Sequence, residues 1–253
     1  GHDGPDTRRP TSLRGIADKA RREPTDRFRN RYGMLNEAVL HERWRWGRKK
    51  AASGVDRVSA QADARERTVN IRGLVERLRP KRYRATWVRR QWIPTGKDTL
   101  RPLGIPVGED TLRQRAVARI LTAIFEPDFL RCSYGYRPNV GAREAVDKLT
   151  GKLQFGEDPH VVEVDLENVF GTIDHDWLRR MLEQRIDDRP FVRLSRKWRK
   201  AGVLETDGAV THPATGTPQG GWCPQCWPTS PCTTSWTCGS IGESRSVVGA
   251  RRA

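Results

Sequence analysis

His160-Val-Val-Glu-Val-Asp-Leu166 is the stretch on which the reading of the fold turns. Val161, Val162, Val164 and Leu166 are the β-branched and aliphatic residues of a strand covered on both faces. Asp165 sits near the end of that strand. An ionised side chain there costs several kcal/mol unless something pairs with it, and a metal ion is the usual partner. A plainer reading stays open, an Asp that turns the corner after a strand. Phe170 lies shortly downstream, and Ile173-Asp-His-Asp-Trp177 then opens a helix.

The charge around this stretch is lopsided. The 253 residues hold 47 Lys and Arg against 31 Asp and Glu, a net charge of +16. Such a field attracts polyanions, and nucleic acid is the commonest polyanion that proteins handle. No long apolar run or amphipathic anchor supports a membrane role. The first thirty or so residues are polar and Arg-rich, without the apolar centre of a signal peptide, so a cytoplasmic protein is expected.

Residues 1–30 read as a basic flexible arm with a short helix from Leu13 to Arg22, its basic face solvated. Residues 31–80 read as helical, with a helix from Met34 to Trp46, a turn-rich connector at 51–56, and a helix from Thr68 to Leu78. Pro80 stops that helix. Trp87–Ile93 and Leu100–Pro106 then read as a β-hairpin around a turn at Pro94–Thr99. Glu109–Phe125 is the strongest helix, with Asp110 as its N-cap. An irregular segment at Ser133–Pro138 precedes a helix from Ala142 to about Leu153. Helices at Asp176–Arg185 and Pro190–Lys200 follow the Asp165 strand, and then a hairpin spans Val203–His212. Asp174, His175 and Asp176 suggest acid–base chemistry, but a helix N-cap at Asp174 or Asp176 explains them more cheaply.

Several motifs recur in a fixed order: Arg101-Pro-Leu-Gly-Ile-Pro106, Ser133-Tyr-Gly-Tyr-Arg-Pro138, the Asp165 strand with Ile173-Asp-His-Asp-Trp-Leu178, Lys197-Trp-Arg-Lys-Ala-Gly202, and Gly216-Thr-Pro-Gln-Gly-Gly221. In that order, from about Leu13 to Gly221, the chain resembles the fingers and palm of bacterial group II intron-encoded reverse transcriptases with maturase function. The resemblance implies an α+β fold: right-hand polymerase fingers and a partial palm, a small antiparallel sheet with packed helices, and a helical N-terminal extension. It divides the chain into an arm (1–30), the extension (31–80), fingers (81–140) and partial palm (141–221).

The resemblance also implies roles. Asp165 matches the first metal-binding carboxylate of a two-Mg²⁺ site, and the backbone carbonyl of Leu166 would complete the triphosphate-side ion. Phe170 matches the aromatic ring that blocks a ribose 2′-hydroxyl, although a core Phe is the plainer reading. Lys97 and Arg101 are candidates to neutralise the nucleotide phosphates. The usual family pattern puts Lys straight after the Pro and Asp-Gly at the turn, whereas this chain has Thr95 and Lys97-Asp98. Gln219 and Gly220 match the loop that lets the template–nucleotide pair approach closely. Arg137, following two tyrosines, is suited to gripping template backbone. Arg77, Arg79, Lys81, Arg82 and Arg84, with Arg89 and Arg90, interleave with Tyr83 and Trp87 and favour RNA contact. The implied partners are intron or template RNA, a DNA primer and dNTP.

After Gly221 the character changes. Residues 222–238 hold four of the five cysteines and three of the nine tryptophans. Cys223 and Cys226 form a CxxC, but the spacing lacks a second CxxC or a His pair, so zinc is a weak reading. A disulfide framework is weaker still in a cytosolic chain. The favoured reading is a non-native tail (222–253) translated out of frame: a permissible back-translation, shifted by two bases, spells VSPVLANVSLHHVLDLWFDR, an amphipathic helix of the expected kind. The chain contains no Tyr-Ala-Asp-Asp tetrapeptide, the family's second carboxylate motif. Asp174 cannot replace it, because nine residues of continued strand would put it about 30 Å away. The expectation is a truncated copy with weak or absent Mg²⁺ binding and no polymerase activity alone. The alternative function is a non-catalytic intron-RNA-binding module of maturase type.

Overall fold

The computed structural model describes residues 12–47, 51–79, 83–95, 100–156, 162–163 and 168–217. Helix α1 (Leu13–Arg22) is followed by a 3-10 turn (Tyr32–Met34), α2 (Glu37–Arg45), α3 (Ala60–Arg65) and α4 (Arg67–Leu78). Strands β1 (Val88–Pro94) and β2 (Leu100–Ile105) lead into α5 (Gly108–Phe125). Then come α6 (Ala142–Phe155), α7 (Val169–Thr172), α8 (His175–Arg185), α9 (Arg189–Arg199), β3 (Val203–Leu204) and β4 (Val210–Thr211). The fold is α+β.

Helix α5 is the hub. Leu112, Ala116, Val117, Ile120, Leu121, Ile124 and Phe125 are all buried, a face too wide for one neighbour, and α1 and α2 both pack on it. From residue 12 onward the N-terminal segment packs into the core and departs from the solvated arm expected at 1–30; residues 1–11 lie outside the described residues. Ile16 and Ala20, one turn apart, are fully buried in the core. Ser12 caps α1 by accepting from the Gly15 amide at 3.0 Å. Phe28 is buried as well; its amide donates to the Arg185 carbonyl and its carbonyl accepts from the Asp187 amide. Two apolar residues at helical spacing suffice to seat a short, otherwise basic helix.

The helix expected from Met34 breaks at Asn36, whose side chain caps α2 by accepting from the Val39 amide. Helix α3, capped by Ser59, was not expected from the sequence. Asp110 is not the N-cap of α5. The helix starts one residue earlier, with Val107 at the cap position, and the Asp110 carboxylate turns inward. It accepts from the Tyr83 hydroxyl (2.6 Å), the Thr86 amide (3.0 Å) and Arg113 Nη1 (2.9 Å). Trp198 Nε1 of α9 donates to the Tyr83 hydroxyl at 2.6 Å, and the Arg113 guanidinium lies 3.8 Å from the Tyr83 ring centre. Tyr83, Asp110, Arg113 and Trp198 are all buried, so the segment before β1, α5 and α9 are bonded together in the interior. Burial pushes the Asp110 carboxyl above its usual range, more than the Tyr83 and Thr86 hydrogen bonds and Arg113 pull it down. Burial and the Asp110 charge likewise push the Tyr83 phenol up.

The expected β1–β2 hairpin is present, pairing Arg89 with Ile105 through to Pro94 with Leu100. The sheet, however, is mixed and not antiparallel throughout. Its order is β2-β1-β3-β4, with β1 parallel to β3. The helices from α5 to α9 lie between these two strands in sequence, a crossover that returns the chain in the same direction. Residues 164–167 of the Asp165 strand lie outside the described residues. Val162, expected to be covered, is 72% exposed.

Candidate nucleic-acid interface

Two segments far apart in sequence close on each other beside the hairpin. The Gly216 amide donates to the Ile173 carbonyl at 2.9 Å, and the Thr217 amide donates to the Phe170 carbonyl at 2.7 Å. His175 Nε2 lies 2.6 Å from the Gly216 carbonyl. Gly216 has φ +77°, and a Cβ there would run into the Gly171 carbonyl oxygen, so both the backbone conformation and the close approach require glycine. The Asp174 carboxylate accepts from the Trp177 amide at 2.7 Å, which gives it the capping role expected.

This docked loop, the hairpin and the end of α9 enclose a cavity of about 230 Å³. Arg90 and Pro102 come from the hairpin, Asn168 from the turn before α7, Arg199 from α9, and Thr217 from the docked loop. Arg90 grips Glu205 with a two-pronged fork, 3.0 Å on each side, and lies 5.7 Å from the Trp92 ring centre. That hydrogen bonding holds the Glu205 carboxyl below its usual range. Arg199 donates to the His175 carbonyl at 2.7 Å, tying α9 to the start of α8. The Thr217 hydroxyl is buried and, among the described residues, has no hydrogen-bond partner.

No protein-family model matches the chain. Over 173 residues it is 36% identical to protein YkfC of Escherichia coli, covering 66% of this chain and 45% of that protein. It is 36% identical over 152 residues to the group II intron-encoded protein LtrA of Lactococcus lactis, covering 60% of this chain and 25% of LtrA. A Saccharomyces cerevisiae protein named for intron 1 of COX1/OXI3 is 33% identical over 128 residues, or 51% of this chain and 15% of that protein. The chain is a homologue of group II intron-encoded proteins. It spans less than half the length of the relatives it matches.

Within this group II intron homologue the expected site residues fall into two sets. Asp165, Leu166, Lys97, Gln219, Gly220, Lys81 and Arg82 lie outside the described residues. Among the described residues no three His, Cys, Asp or Glu side chains gather as a metal site. Phe170 is half-buried in α7, and its carbonyl seats Thr217. Arg101 is exposed on β2 opposite Ile93; strand alternation puts it on the hairpin face away from Pro102 and the cavity.

Arg77 is exposed and pairs with Glu109 of α5. Arg79 is the exposed C-cap of α4, and Arg84 is exposed beside α9. Arg137 is engaged within its own loop. It donates to Glu126 at 3.0 and 2.8 Å and to the carbonyls of Leu130 and Ser133 at 3.0 and 2.7 Å, and lies 5.0 Å from the Phe129 ring centre. The cavity cations are therefore Arg90, expected from the sequence as one of a basic run that contacts RNA, and Arg199, for which no role was expected. Arg90 pairs with Gly104 inside the Arg101–Pro106 motif's own hairpin, and Thr217 follows Gly216 in its motif, so both had a signal in the sequence. Among the described residues no helix is long and apolar enough to cross a membrane.

Proposed function

We propose that this chain forms the fingers and part of the palm of a group II intron reverse transcriptase with maturase function. The observation that carries the reading is the seating of Gly216–Thr217 on Phe170–Ile173, against the β1–β2 hairpin. It brings three of the ordered motifs around one cavity, with Arg90 and Arg199 in its lining. In this reading the cavity borders the site of the incoming dNTP, with Lys97 on the triphosphate, Phe170 against the ribose, and Gln219 and Gly220 under the template pair. Magnesium would be held by Asp165 and the Leu166 carbonyl, and supplies charge neutralisation for phosphoryl transfer. RNA template and DNA primer are the macromolecular partners.

In-line transfer needs carboxylates that converge on two ions, and this sequence supplies one matched carboxylate and no Tyr-Ala-Asp-Asp. The part of the protein given by this sequence is therefore expected to contribute RNA binding, and primer extension requires carboxylates beyond the one matched here. The second reading, an intron-RNA-binding module without catalysis, is favoured by the net charge of +16. Both are tested by binding to a group II intron RNA across a salt series, with a parallel primer-extension assay in Mg²⁺. Steeply salt-dependent binding is expected. Absence of RNA binding would overturn both readings, and protection of a bound primer–template by dNTP would separate the first from the second.

A further inference from the structure

Helix α9 presents an unusual face. Phe191, Val192, Leu194, Ser195 and Trp198 turn into the core. On the other side Arg193, Arg196, Lys197 and Lys200 follow at spacings of three, one and three, the positions of a single helical stripe. Like charges three and four residues apart on a helix repel and destabilise it. Here they are repeated along the whole stripe, and among the described residues no carboxylate pairs with Arg193, Arg196 or Lys200. The extended segment Tyr83-Arg84-Ala85 runs beside this stripe and forms the other wall of an open groove of about 870 Å³. Arg84 adds a further cation, also without a carboxylate partner among the described residues. The Lys197 ammonium donates to the Tyr83 carbonyl at 2.5 Å, which fixes it at the groove floor. Burial, then Arg193, Arg113 and Arg84, lower its pKa, as expected where positive charge is concentrated.

This groove and the cavity beside the hairpin share no lining residue. Its one aromatic, Tyr83, is 2% exposed and its hydroxyl is bonded to Asp110 and Trp198, so no ring is offered for a base to stack on. A groove of cations with neither carboxylates nor stacking surfaces suits a phosphodiester backbone whose bases remain paired.

We propose that the α9 groove, lined by Arg84, Arg193, Arg196, Lys197 and Lys200, is a second RNA site that holds the phosphate backbone of a helical RNA segment without reading its sequence. It rests on the RNA-binding reading above and adds to it a location and a mode. A stripe four residues long on one helix tracks a backbone; it does not discriminate bases.

The test is the triple variant Arg193→Gln/Arg196→Gln/Lys200→Gln, all exposed positions, compared with the parent chain for binding a short RNA duplex of arbitrary sequence. Three lost phosphate contacts lower the slope of log affinity against log salt by roughly 2.7, so between about 50 and 200 mM salt the variant should lose about 40-fold less affinity than the parent. Arg193→Lys/Arg196→Lys should keep the parent slope, because charge and not shape carries the contact. Changing the duplex sequence should leave parent affinity within about threefold. A parent that binds with a steep slope and a triple variant with the same slope would overturn the groove while leaving RNA binding intact. A parent that does not bind the duplex, or a triple variant weakened only toward polyglutamate, would also overturn it; the latter would assign the groove to an acidic protein.

Discussion

Replacing Tyr83 by Phe removes one oxygen from the buried network and leaves the ring, with its Arg113 contact, in place. Two interactions go with that oxygen. The hydrogen bond to the buried Asp110 carboxylate, 2.6 Å long, is of the charge-assisted kind that contributes about 1.5–3 kcal/mol. Trp198 Nε1 loses the Tyr83 hydroxyl as acceptor, also at 2.6 Å, and an unsatisfied buried N–H costs about 1–3 kcal/mol. Allowing for relaxation, Y83F should cost about 3 kcal/mol, a large part of the roughly 5–15 kcal/mol of an ordinary domain. The assay is urea unfolding followed by circular dichroism, with Trp198→Phe closing a double-mutant cycle whose coupling should exceed about 1 kcal/mol.

The loss should also depend on pH. Asp110 already sits above its usual carboxylate range, and the Tyr83 bond is one of the influences holding it down. Without that bond the folded carboxyl rises further. A raised carboxyl contributes most below its unfolded value, about 3.9, and loses that contribution as pH rises through the folded value. The Y83F penalty should therefore grow from mildly acidic to neutral buffer. A penalty under about 1 kcal/mol at neutral pH, or one that shrinks with rising pH, would refute the network as described.

Gly216→Ala should cost about 2 kcal/mol through its positive φ and the Gly171 carbonyl, and hydrogen exchange at the Gly216 and Thr217 amides should quicken; unchanged protection there would sink the docking argument. Glu205→Gln weakens the fork to Arg90, with both side chains less than a quarter exposed, and should cost about 1 kcal/mol. Since Glu205 is held low, its contribution is present above the usual glutamate value and lost as pH falls through the lowered one, so the variant should show less acid destabilisation in a pH series of unfolding midpoints. Asp128 is pushed up by burial, with Arg185 at 3.2 Å pulling it down. Asp128→Asn should therefore make the slope of unfolding free energy against pH more positive in the range just above the ordinary Asp value of about 3.9.

What the residues announced in advance was local. The α1, α4, α6, α8 and α9 segments follow from apolar spacing and caps, and the hairpin follows from its turn. Asp110 misled because an Asp near a helix start normally caps it; only Tyr83 and Arg113, brought in by the tertiary fold, give it an interior alternative. The β1–β3 pairing joins Val88 to Val203, and no local pattern encodes a partner that distant. The α9 stripe was written in the sequence at helical spacing, but in charge, where an apolar period is the customary signal. The cavity beside the hairpin is lined by motifs already present in the sequence; that Arg90 and not Arg101 would face it depends on which way the hairpin lies.

The pairing of Phe28 with the Arg185–Asp187 backbone sets a timetable for synthesis. Arg29 meets Asp187, 158 positions later in the chain. At about 5–20 residues per second, a ribosome needs roughly ten to thirty seconds to deliver that partner. For the first half of that delay α5 itself has not been made, and after it the nascent N-terminal helix can rest on α5 but cannot be latched, so the cationic N-terminal segment stays open to whatever reaches it first.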